Sequence, residues 1–167
     1  MNAKSQAQAQ AEGQGREYLA FSLAGEEYVV DILKVQEIRT YEAVTRIANL
    51  PAFIKGVMNL RGAVVPVVDL RIRFNVGKAE YGPSTIVIVI NIGKRTIGVV
   101  VDGVSDVVVL KAGDLRPAPE IAGVLSAQYL EGVAILDQRM LIVVDIDGLM
   151  TSSEMGLLES AAVDAAA

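Results

Sequence analysis

Residues 54–70 read IKGVMNLRGAVVPVVDL, and residues 130–146 read LEGVAILDQRMLIVVDI. The two stretches lie 76 positions apart and align without a gap. Phe53, Gly56, Val57, Leu60, Val67, Val68 and Asp69 fall on Tyr129, Gly132, Val133, Leu136, Val143, Val144 and Asp145, and six of these seven pairs are identical. In each stretch an apolar run is interrupted once, by Arg61-Gly62 or by Asp137-Gln138. A two-residue hairpin tip accounts for polar residues there, and Gly62 can supply a positive φ. Gly56 and Gly132 precede their hairpins alike and mark a bend or a close backbone approach. Pro66 has no N–H to donate, which places its strand at a sheet edge or a bulge. Asp69 and Asp145 each end a buried run, where a carboxylate reads as a helix N-cap.

Upstream of both hairpins the chain repeats again, now at an offset of 69. Leu19, Phe21, Leu23, Tyr28, Val30, Ile32, Val35 and Ile38 fall on Ile88, Ile90, Ile92, Ile97, Val99, Val101, Val104 and Val107, and Glu37 falls on Asp106. Alternation such as Leu19, Phe21 and Leu23 around Ala20 and Ser22 has the period of a half-buried strand. The repeat therefore predicts a mainly β protein built as two small barrels of similar topology. One spans about 17–80, the other about 81–150, and NVGKAEYGPS (75–84) connects them. Barrels of this size hide their strand edges, and packing side by side enlarges a modest core. Exchange of strands between the barrels is left open by the pattern. Residues 1–16 lack bulky apolar side chains and read as disordered. Thr151 and Glu154 form a capping-box pattern, so a short amphipathic helix is expected over 151–162, with a disordered tail at 163–167.

Composition narrows the function. The chain has 167 residues, 52% of them hydrophobic and 21% charged, with net charge -5. That balance opposes a phosphate-binding surface, which needs clustered Lys and Arg, and opposes docking on anionic lipid. There is no Cys and no His. Disulfides, thiol chemistry and Ser-His-Asp or Cys-His catalysis are excluded with them. The longest apolar runs, TIVIVINI (85–92) and MLIVVDI (140–146), have strand length and fall short of the roughly 18 residues of a membrane span.

Position alone makes Arg61 an exposed turn arginine and Glu37 a solvent-facing residue between Val35 and Ile38. Two other function classes meet obstacles in the sequence. A barrel enzyme with Asp69 and Asp145 as paired carboxylates would need residues from separate barrels to converge on one substrate. A nucleic-acid-binding barrel would need basic grooves and stacking aromatics, but aromatics are 5% of the chain and Trp is absent.

Longer phrases are more specific. EEYVVDILKVQEI (26–38), VTRIANLPAFIKGVMNLRGAVVPVVDLRIRF (44–74), VVDGVSDV (100–107), LRPAPEIA (115–122) and RMLIVVDIDGLM (139–150) together resemble the CheW family of bacterial chemotaxis coupling proteins. The likeness runs from about Glu17 to Leu158. It implies two tandem five-stranded SH3-like β-barrels packed side by side, with a short C-terminal helix. It implies a non-catalytic cytoplasmic adaptor without cofactors, monomeric alone and ring-forming in arrays. Its implied partners are the cytoplasmic tips of methyl-accepting chemoreceptors and the regulatory domain of the histidine kinase CheA, with no nucleic acid and no membrane insertion. Carried over by position, the family's interaction residues are Val35, Glu37, Gly56, Arg61 and Gly62. A module cut from CheA or from a receiver fusion is a further reading, but the chain has no ATP-binding motif and no phosphorylatable His. Its polar lead and helical tail fit a stand-alone protein.

Overall fold

Alternating and continuous runs of Val and Ile place strands wherever side chains must pack on a pleated, buried surface. The computed structural model of the chain describes residues 15–42, 44–117, 130–150 and 153–157. The first half supplies β1 (Arg16–Leu23), β2 (Glu26–Asp31), β3 (Val35–Thr40), β4 (Ile54–Leu60), β5 (Ala63–Asp69) and the one-turn helix α1 (Leu70–Arg73). The second supplies β6 (Ile86–Ile92), β7 (Arg95–Val101), β8 (Gly103–Leu110), the two-residue β9 (Leu115–Arg116), β10 (Leu130–Leu136) and β11 (Arg139–Val144). Residues 153–157 form a helical turn, α2. Of the lead expected to be disordered over 1–16, residues 1–14 lie outside the described residues and Arg16 already begins β1; part of the LRPAPEIA segment, residues 151–152 and 158–162 of the expected helix, and the tail at 163–167 also lie outside them.

The strands form two SH3-like barrels, but the sheets do not divide at the 75–84 connection. One sheet has the order β3-β6-β7-β5-β4 and the other β8-β1-β2-β11-β10-β9. Each half of the chain thus lends its first hairpin to the other half's remaining strands. The loan creates one parallel pair in each sheet, β5 with β7 and β11 with β2. The registers correspond: Val67 lies opposite Gly98 and Val143 opposite Val29, as the two repeat offsets require. The molecule has an internal pseudo-two-fold axis.

Both barrels close by the same device. In the first, Thr45 bridges Val57 through two backbone hydrogen bonds of 2.9 Å. In the second, Arg116 pairs with Val133. A Cβ on Gly56 would lie 2.1 Å from the Thr45 carbonyl oxygen, and one on Gly132 would lie 2.4 Å from that of Arg116. Only glycine admits the crossing chain so closely.

Three apolar cores result. Leu60, Val65, Val67, Val87, Val89 and Val100 fill the first barrel. Tyr18, Ala20, Val29, Val108, Leu141 and Val143 fill the second. The largest cluster joins side chains of both sheets, among them Phe21, Tyr28, Phe74, Ile88, Ile97, Val101 and Leu149. Phe21, Tyr28 and Phe74 stack in series there, with centroids 5.8 and 5.9 Å apart.

Pro66 does not lie on an edge strand, because β5 is interior, but the pairing of β5 with β4 carries a bulge between Ile54 and Gly56, opposite Val68 and Val67. The pairing of β5 with β7 begins only at Val67, so the missing N–H of Pro66 falls just outside that ladder. Asp69 caps α1 as expected, accepting from Arg71 N at 2.9 Å. Asp145 does not cap a helix. Its carboxylate accepts from Asp147 N at 3.1 Å, but Gly148 follows and the segment stays a turn.

One buried ionic cluster fastens the connection to both sheets. Asp69 (0% exposed) receives Arg71 Nε at 3.1 Å and Nη2 at 2.9 Å, and Tyr81 Oη at 2.5 Å. Arg71 (3% exposed) also donates from Nη1 to the Glu80 carbonyl at 2.7 Å and to Asp102 Oδ1 at 2.8 Å. Asp102 Oδ2 then accepts from Ala24 N, at the β1–β2 turn, at 2.7 Å. Burial alone would lower the Arg71 pKa, but the bonds to Asp69 and Asp102 overcome it and hold it above its ordinary value. Burial, and then the Asp69 bond, raises that of Tyr81.

Two outcomes follow. Arg71→Met strands a buried carboxylate and lowers the unfolding free energy by about 3–5 kcal/mol in urea titrations, and adding Asp69→Asn recovers part of the loss. A chain cleaved within 75–84 stays associated on gel filtration, whereas either half expressed alone gives no cooperative thermal unfolding.

Candidate functional site

The hairpin tip between β4 and β5 is a tight turn with Arg61 at φ 52 and Gly62 at φ 90. The corresponding Asp137 and Gln138 have φ 47 and 72. Asn59 stabilises the first tip by accepting the Gly62 N–H at 2.7 Å. The Arg61 side chain is 67% exposed, as a hairpin tip requires. It is not free: its Nη2 donates to Glu37 Oε2, while Arg39 lies 3.5 Å from the other Glu37 oxygen. Glu37 is half-buried on β3, next to the register shift between Val35 and Glu37. The ion pair therefore ties edge strand β3 to the tip of the β4–β5 hairpin at the end of the first barrel.

Of the five residues expected at the site, Glu37, Arg61 and Gly62 meet in one cluster. Val35 stands two residues before Glu37 and packs partly against the central core. Gly56 is buried at the barrel closure, where its role is the close approach of Thr45. The cavity beside it is lined by Val44, Thr45, Val57, Met58 and Asn59, all of the first barrel, and not by both barrels. Ile38, the next residue on β3, is a large apolar side chain left 45% exposed.

The second barrel carries a matching latch that sequence reasoning missed. Asp106, the counterpart of Glu37, is bound by Arg139 at the start of β11, with Nη2 to Oδ1 at 2.9 Å and Nη1 to Oδ2 at 3.1 Å. Arg139 also grips Glu27, at 2.6 and 3.1 Å. The offset that set Glu37 on Asp106 was the available signal. Arg139 sits two residues beyond the position of Arg61 in the repeat, so alignment alone did not reveal it. Val107, the counterpart of Ile38, is 47% exposed. Each barrel thus presents a pinned carboxylate beside an exposed aliphatic residue on an edge strand.

Asp69, the candidate acid of the enzyme reading, is spent on Arg71, Tyr81 and the α1 cap. No group of three or more metal-ligating side chains able to hold an ion occurs among the described residues. No helix among them is long and apolar enough to cross a membrane.

Two outcomes test this geometry. Gly56→Ala forces a Cβ into backbone and into a left-handed φ, and it costs about 3 kcal/mol or more in thermal unfolding. The bonds to Arg139 hold the Glu27 and Asp106 carboxyls below their ordinary values of 4.5 and 3.8. A depressed carboxyl stabilises the fold above its unfolded pKa and loses that contribution as pH falls through the folded one. Arg139→Gln therefore flattens the stability-versus-pH curve below about pH 4.5, read by denaturant midpoints at successive pH values.

Comparison with known proteins supplies the context. The family model described as "CheW-like domain" matches residues 17–154. The chain is 56% identical over 148 residues to the chemotaxis protein CheW of Klebsiella aerogenes, covering 89% of each chain. It is 36% identical to the chemotaxis protein CheW of Rhizobium meliloti, over 84% of this chain and 90% of that one. The crystal structure of the scaffolding protein TtCheW from Thermoanaerobacter tengcongensis superposes with a TM-score of 0.76 at 31% identity, over 84% of this chain and 90% of that chain.

Proposed function

The chain belongs to the CheW-like family, and we propose that it is a non-catalytic cytoplasmic adaptor that couples chemoreceptor tips to the histidine kinase CheA in chemotaxis arrays. The observation that carries this reading is the Glu37–Arg61 ion pair. Both residues correspond to interaction residues of the family, and they meet at an exposed barrel end rather than in a core. The fold offers docking faces on a scaffold stiffened by its exchanged hairpins. An amphipathic receptor helix would lay its apolar stripe along the surface beside Val35, with rim charges setting register. Glu37, Arg61 and Gly62 would form the polar end of the contact with receptor or kinase. Gly56 acts indirectly, by holding the first barrel closed under that surface.

Reconstitution tests the reading. Receptor-containing membranes with CheA gain receptor-controlled autophosphorylation when this protein is added, and no gain overturns the proposal. Arg61→Glu sets two like charges side by side and weakens coupling about tenfold or more. The exchanged pair Glu37→Arg with Arg61→Glu keeps the bridge but reverses its field. Restored folding with lost coupling separates recognition from stability. Val35→Glu abolishes receptor pull-down while leaving the circular dichroism spectrum unchanged.

A further inference from the structure

The two latches differ in their charge balance. At the first, one carboxylate meets two arginines: Glu37 Oε2 accepts from Arg61, and Arg39 Nη1 lies 3.5 Å from Glu37 Oε1. At the second, one arginine meets two carboxylates, with Arg139 bound to Glu27 and to Asp106. The first end therefore carries a surplus cation and the second a surplus anion. The two arginines of the first end also differ in how they are held. Glu37 and Arg39 stand two residues apart on β3, so the pleat sends both side chains to one face. Their proximity is built into a single strand. Arg61 comes from another element, the tip of the β4–β5 hairpin. Its side chain is 67% exposed, against 33% for Arg39 and 22% for Glu37. Arg61 is thus the member of the trio free to turn outward. Glu37 is the member that least tolerates losing its counter-charge.

We infer that Arg39 is a standby counter-ion, which stays with Glu37 when Arg61 leaves it to bind a carboxylate of the docking partner. The inference rests on the adaptor reading above and names the chemistry of that contact: an aspartate or glutamate side chain on the partner protein. In the free chain Glu37 holds Arg61 near the rim, which limits the side-chain entropy lost on docking. On docking, the exposed guanidinium exchanges one carboxylate for another, and its planar fork suits either. Without a second arginine the exchange leaves a largely covered Glu37 unpaired, and that penalty lowers the affinity. Arg39 removes the penalty because it need not move to remain beside Glu37. It is a positioning residue, acting on the partner only through Glu37 and Arg61. The second latch has no such reserve, since among the described residues Arg139 alone pairs with Glu27 and Asp106.

A double-mutant cycle tests this, read as the concentration of the full chain that half-activates CheA autophosphorylation in receptor-containing membranes. Arg39→Gln raises that concentration about tenfold and leaves thermal unfolding unchanged, as expected for a partly exposed pair. In a Glu37→Gln background, which removes the carboxylate that needs cover, Arg39→Gln shifts it by less than about twofold. Arg61→Gln raises the concentration in its own right and flattens its dependence on salt between about 50 and 500 mM. Equal losses from Arg39→Gln in both backgrounds mean that Arg39 touches the partner directly, and they overturn the inference. No loss in either background overturns it too. A salt dependence that Arg61→Gln leaves unchanged removes the partner carboxylate. Self-association of the chain alone in sedimentation velocity, abolished by Arg61→Gln, assigns the carboxylate to a second copy and overturns its assignment to a partner. A wild-type chain that gives no activation sinks the adaptor reading and this one with it, whereas activation without the expected cycle sinks this one alone.

Discussion

Backbone hydrogen bonding between strands of opposite halves is the constraint on which the rest depends. The parallel pairs β5–β7 and β11–β2 exist only because each half gives its first hairpin to the other. That loan places Phe21, Tyr28, Ile88 and Ile97 in one core shared by both sheets, alongside the smaller core inside each barrel. A modest chain thereby obtains the buried area of a single larger unit. The Arg71 cluster adds direction. It binds the connection, the α1 turn and the β1–β2 turn to one guanidinium, and so fixes how the ends of the two sheets meet.

On that rigid base the two halves diverge where they meet solvent. Edge strands β3 and β8 invite unwanted pairing, and each is restrained by a carboxylate held by an arginine, Glu37 by Arg61 and Asp106 by Arg139. The first latch puts its arginine at the tip of the hairpin, and the second puts it at the start of the next strand. The same barrel geometry thus displays different charge patterns at its two ends. On the adaptor role proposed above, such asymmetry on a common frame suits the docking of dissimilar partners.

Much of this was legible in the chain. The two gapless offsets correctly predicted paired barrels, because the glycines and aspartates that recur are those that close the barrels and turn the chain. Arg61 was readable as a hairpin tip for the same reason. Hairpin exchange was not readable. Hydrophobic alternation tells which face of a strand is buried but not whose edge lies beside it. Arg71 gave no signal in the chain, since its partner Asp102 stands 31 residues away and only folding brings them together. Asp145 was misjudged because its match to Asp69 was perfect, while the capacity to continue as a helix rests with Gly148 beyond it. Pro66 sits in an interior strand because its relief is local, a bulge in the β4 ladder one residue on and a β7 ladder that begins only at Val67.

The exchanged topology also governs the order in which the chain can assemble during synthesis. The hairpin of β1 and β2 leaves the ribosome first, yet its partners β8 and β11 are among the last strands made. Until they emerge, Tyr18, Phe21, Tyr28 and Val30 have no permanent cover. Nascent chains therefore pass through a long interval with sticky strand edges exposed, in which two molecules translated close together can pair with each other instead of with themselves.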